Sequence, residues 1–132
     1  MDDREKHDQG MKIRRAVLGD AHVDRAQKNK NPFNDDFQDL ITRYAWGEIW
    51  SRPGLARRER SFITLAMMVA LNRGDELRMH LRAAFNNGVT RDEIKEVLLQ
   101  TAIYCGVPAA NAAFHIAGEV FAEMEAQGDP RR

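Results

Sequence analysis

The chain has 132 residues, enough for one domain with one core, and 43% of them are apolar. Twenty Lys and Arg balance twenty Asp and Glu, so the net charge near zero argues against a generally basic nucleic-acid binder. The single cysteine, Cys105, excludes an intramolecular disulfide and a Cys-x-x-Cys redox pair. Residues 1–10 are charged and do not resemble a secretory leader. The longest apolar run, residues 65–71, is too short to span a bilayer. A cytoplasmic, soluble and reduced protein is expected, with no membrane and no nucleic-acid partner.

Strand signals are nearly absent, and helix punctuation is abundant. In chain order the pattern predicts helices over about 4–18, 21–29, 34–50, 56–73, 75–87, 91–105 and 108–127. Gly19 and Asp20 end the first. Asn31-Pro32 breaks the second, because a residue before proline avoids the α region. Arg52-Pro53-Gly54 makes a turn. Gly74 is expected to close the fourth helix in the left-handed conformation, with Asp75 capping the fifth. Gly88 stops the fifth, and Thr90-x-x-Glu93 reads as a capping box for the sixth. Gly106 and Pro108 repeat the stop and start.

The 56–73 helix is apolar around most of its circumference, as in a central helix or one buried between subunits. The 91–105 helix is expected to bury Ile94, Val97, Leu98, Thr101 and Ile103. The expected architecture is an all-α, single-domain bundle of six to seven helices.

Few residues invite chemistry. Glu76 and His80 are four apart and share a helix face. A carboxylate there can fix the imidazole tautomer and favour its charged form, although from spacing alone the pair reads as an ordinary surface pair. Arg52, Arg57, Arg58 and Arg60 crowd a helix start, against the macrodipole, and forks of this kind suit carboxylates. His22 follows a turn and is a further candidate. His115 reads as structural, His7 as solvated, Cys105 as a small buried hydrophobe, and Trp46 with Trp50 as packing. The four histidines show no metal-ligand spacing.

The text Glu76-Leu-Arg-Met-His80-Leu-Arg-Ala-Ala is followed by Asn87-Gly88-Val-Thr90-Arg-Asp-Glu93-Ile-Lys-Glu-Val. Ala102-Ile-Tyr-Cys-Gly106-Val-Pro108-Ala-Ala-Asn111 comes next. Together these make residues 55–120 resemble the carboxymuconolactone decarboxylase family, and the segments 14–25 and 41–55 extend the likeness over nearly the whole chain. The resemblance implies the alkylhydroperoxidase-like fold, a family core over about 40–124 with an N-terminal helical extension over 1–33, and a trimer or hexamer of identical chains. In the alkylhydroperoxidases of the same superfamily, a Cys-x-x-Cys precedes the histidine. Arg73 and Glu76 stand where those thiols would be, so dithiol peroxide reduction is excluded.

The resemblance also implies a reaction. The family substrate is a small unsaturated lactone with two carboxylates, 4-carboxymuconolactone. Loss of CO2 gives 3-oxoadipate enol-lactone in the β-ketoadipate route of aromatic degradation. The ring carbonyl is its own electron sink, so no cofactor and no metal are expected. His80 is expected as general acid, oriented by Glu76, with Arg57, Arg60, Arg52 and His22 binding the substrate. Alternatives are a decarboxylase acting on a related lactone or keto acid, and a non-catalytic helical binding module on the same scaffold.

Overall fold

A computed structural model describes residues 1–131, and among them every regular element is a helix. The elements are α1 (Asp3–Leu18), α2 (Asp20–Lys28), α3 (Asp35–Ile41), a π-helix (Thr42–Trp50), α4 (Arg57–Ala70), α5 (Gly74–Asn86), α6 (Arg91–Tyr104) and α7 (Val107–Ala126). All seven predicted helices are present. The chain divides into two compact units, Met1–Arg57 and Arg58–Arg132.

In the first unit, α1 packs along the π-helix and α2 folds back on α1. Asp2 caps α1 by accepting from the Glu5 amide at 2.8 Å. Gly19, at φ 92°, makes the corner into α2. The predicted 34–50 helix is continuous but changes ladder, from α to π, at Thr42. Glycines bring the two backbones together at this point. A Cβ on Gly10 would overlap the Thr42 carbonyl oxygen, and one on Gly47 would overlap the Lys6 carbonyl oxygen. Trp46 is buried and lies against Trp50 with ring centroids 5.2 Å apart.

The second unit has an apolar core built from Leu65 and Val69 of α4, Leu77, Leu81 and Ala84 of α5, Ile94 and Leu98 of α6, and Ala113, Ala117, Val120 and Met124 of α7. The small α7 residues let α5 and α6 come close. Outside the core, Arg78–Glu119 at 2.6 Å and Arg82–Glu123 at 2.7 Å tie α5 to α7, while Arg91–Glu125 at 2.8 Å ties α6 to it.

The α5–α6 corner follows the predicted chemistry. Gly88 has φ 81°, Thr90 Oγ1 accepts from the Glu93 amide at 3.2 Å, and Glu93 Oε1 accepts from the Thr90 amide at 2.8 Å.

Several local expectations are corrected. Asn72, at φ 58°, makes the left-handed turn after α4, while Gly74 is already the first residue of α5. Asp75 is not the cap. Arg73 holds that position without a side-chain bond, and Asp75 lies in the acidic first turn, where the macrodipole favours it. Ile103 is 78% exposed, because the buried stripe of α6 runs through Ile94, Leu98 and Thr101. His115 is exposed on α7. His7 is half-buried, with Nε2 3.4 Å from Asp39.

Candidate active site

α5 carries Glu76 in its first turn, exposed, and His80 one turn later, half-buried. At four residues apart they lie on one strip, about 6 Å between Cβ atoms. The same strip continues through the buried Ala83 and Ala84 to Asn87, the residue that ends the helix. There the Asn87 side chain turns onto α4, and its Nδ2 donates to the buried Ser61 Oγ at 2.8 Å. Asn87 Oδ1 and Glu59 Oε2 are buried and make no hydrogen bond. Sequence reasoning passed over Ser61, Asn87 and Glu59 as site residues. The available signal was a serine on the stripe that α4 buries, four and eight positions before Leu65 and Val69.

The predicted arginines separate by role. Arg58 is structural. It pairs with Glu93, donates to the Gly88 carbonyl at 3.3 Å and lies 5.0 Å over the Phe62 ring, which fixes the start of α4 to the α5–α6 corner. Arg60 is half-buried on α4, in the same unit as Glu76 and His80. Arg52 and Arg57 are exposed and belong to the first unit, as does His22 on α2. The structure thus gathers Glu76 and His80 on one helix strip and divides the predicted substrate-binding residues between the two units.

His22 is half-buried, and its proton affinity is lowered, first by burial and then by the charges of Arg25 and Arg14. Arg14 is 4% exposed and was not foreseen as a site residue. Its signal was present in the sequence. Gly10, Arg14 and Val17 are i, i+4 and i+7 on α1, so a guanidinium sits on the stripe the helix buries.

Cys105 is half-buried at the end of α6. With Phe62, Ala66, Val97, Thr101 and Tyr104 it lines an apolar cavity of about 360 Å³ between α4 and α6. Among the described residues, no group of three or more His, Cys, Asp or Glu side chains is placed to hold a metal ion.

The carboxymuconolactone decarboxylase family model matches residues 35–119. The chain is 56% identical to 4-carboxymuconolactone decarboxylase of Acinetobacter baylyi over 94% of its own length and 92% of the relative's. It is 41% identical to the nitrosuccinic acid decarboxylase of Metarhizium robertsii, over 98% of this chain and 90% of that one. A 4-carboxymuconolactone decarboxylase sequence from Pseudomonas putida is 56% identical over 36% of this chain and 100% of its own length. The chain belongs to the carboxymuconolactone decarboxylase family.

Proposed function

We propose that this chain is a carboxy-lyase that converts 4-carboxymuconolactone to 3-oxoadipate enol-lactone and CO2. The observation that carries this reading is the 56% identity spread over 94% of the chain. In the lactone, the departing carboxylate sits on the ring carbon bonded to the ring oxygen. When that C–C bond breaks, its electron pair moves through the ring double bond onto the lactone carbonyl oxygen. The resulting dienolate then takes one proton on carbon.

The protein's part is to hold a dianion, stabilise the developing oxyanion and deliver that proton. In this reading His80 is the general acid or oxyanion donor, and a positioned general acid is worth about 10²–10⁴ in rate. Glu76 orients the ring. Arg57, Arg60, Arg52 and His22 receive the carboxylates. The ring carbonyl serves as the electron sink, so the reading needs no metal or organic cofactor. Residues 1–132 act as one functional domain, in the cytoplasm, within aromatic catabolism.

An exposed apolar surface supports assembly into a homo-oligomer, a trimer or hexamer. Ile63, Met67 and Leu71 recur at every fourth position along α4 and just past its end, and Ile103 and Tyr104 end α6, all between 42% and 83% exposed. Apolar rows of this kind mark association surfaces. Ile103→Asp should lower the mass measured by light scattering, and an unchanged mass would remove this surface from the interface.

A second reading follows from the nitrosuccinic acid decarboxylase relative. Nitrosuccinate is also a small dicarboxylate with an electron sink next to the carboxylate. Supplying both acids and following CO2 decides between them.

A further inference from the structure

The buried stripe of α1 holds Gly10, Arg14 and Val17. Two of these suit an interior, while Arg14 places a guanidinium there at 4% exposure. A cation in that position is normally met by a carboxylate, because desolvation penalises an unanswered charge. Its partners here are neutral. Nη1 donates to Thr42 Oγ1 at 3.3 Å and Nη2 to Gln38 Oε1 at 3.0 Å, while Nε makes no hydrogen bond.

Two acids that follow it in sequence go elsewhere. Asp20 and Asp24 accept from the half-buried Arg15 at 3.1 and 2.8 Å. The surroundings of Arg14 make its charge harder to hold. Burial, and then the charge of Arg15, lower its proton affinity, and His22 feels both Arg25 and Arg14. The neutral acceptors are themselves fixed. Thr42 opens the π-helix and donates to the Gln38 carbonyl at 2.8 Å, and π segments recur at functional sites. Bonds to Gln38 and Thr42 leave Nε without a partner, and a guanidinium is the cation whose geometry matches the two oxygens of a carboxylate.

We propose that Arg14 is the receptor for one carboxylate of a small dicarboxylic acid. This assignment rests on the decarboxylase reading for the identity of the acid, and on the buried cation for the existence of the receptor. A structural bolt between α1 and the π-helix needs donors, and a neutral side chain supplies them. An anion receptor needs the charge.

Kinetics with 4-carboxymuconolactone, compared between wild type and Arg14→Gln, test the assignment. KM should rise about tenfold to a hundredfold, with kcat falling less. Arg14→Lys, which keeps the charge but not the fork, should fall between the two. A KM within twofold of wild type in Arg14→Gln overturns the receptor.

Thermal midpoints with and without succinate supply a readout independent of turnover. Succinate should raise the wild-type midpoint and leave Arg14→Gln unmoved. Without ligand, Arg14→Gln should melt no lower than wild type, since a charge without a counter-charge is removed. A variant that melts well below wild type, yet still responds to succinate, shows a structural arginine and overturns the proposal. If Arg14→Gln does not fold, Arg14→Lys carries both comparisons. If wild type does not turn over the lactone, the decarboxylase reading fails and the succinate response alone decides. A response lost in the variant supports the receptor, and one kept in the variant or absent from wild type removes it.

Discussion

Arg14 of the first unit stands apart from the surface arginines of the second. In the second, Arg78, Arg82 and Arg91 each meet a carboxylate at 2.6–2.8 Å on the surface, while the interior is apolar. In the first, Arg14 is buried and bonded to a hydroxyl and an amide. Surface pairs of the first kind contribute little and need no further explanation. A buried guanidinium with neutral partners works against stability. The contrast separates arginines that tie helices together at the surface from the one proposed to bind an anion.

The sharpest way to break this contrast is to weaken the apolar interior. Leu81 is fully buried at the centre of the second unit, so Leu81→Ala should cost about 2–5 kcal/mol in chemical denaturation. A loss below about 1 kcal/mol would mean that the ion pairs, not the core, hold this unit together. Gly10→Ala attacks the first unit, because a Cβ there meets the Thr42 backbone, and overpacking of this kind costs about 1–3 kcal/mol. An unaffected variant would show that α1 and the π-helix are not in fixed backbone contact.

A subtler test uses pH. Burial, Arg25 and Arg14 depress the folded-state proton affinity of His22. The unfolded chain therefore binds the proton more readily, and stability falls as the pH drops through and below about 6.5, the ordinary histidine range. His22→Gln should flatten that part of the melting-temperature profile. A profile that keeps its slope would assign the acid sensitivity to other groups. The smallest effect belongs to the surface. Glu123→Gln, which removes the partner of Arg82, should cost about 0.2–1 kcal/mol, less in high salt.

Much of the fold is legible in the sequence, because helix ends obey local rules. Gly19, Gly88 and Gly106 all take positive φ where the punctuation predicts it, and the Thr90–Glu93 capping box is formed. Local rules fail where two outcomes differ only by tertiary contact. Asn72 rather than Gly74 takes the left-handed turn, since either residue tolerates it. The π ladder at Thr42 has no sequence signature of its own and accompanies the close backbone contact at Gly10 and Gly47. The site is legible in part. Glu76 and His80 share a strip as their spacing requires, while Arg14 was not foreseen, although it is the charge on an otherwise buried stripe. Which neutral groups it bonds to depends on residues 24 and 28 positions away.

One assay is decisive: CO2 release from 4-carboxymuconolactone by wild type and by His80→Ala, matched for folding by circular dichroism. Wild type should release one CO2 per lactone consumed, and the variant should be slower by about 10²–10⁴. Absence of CO2 release by wild type would contradict the proposed reaction, and full turnover by His80→Ala would contradict the role given to the α5 strip.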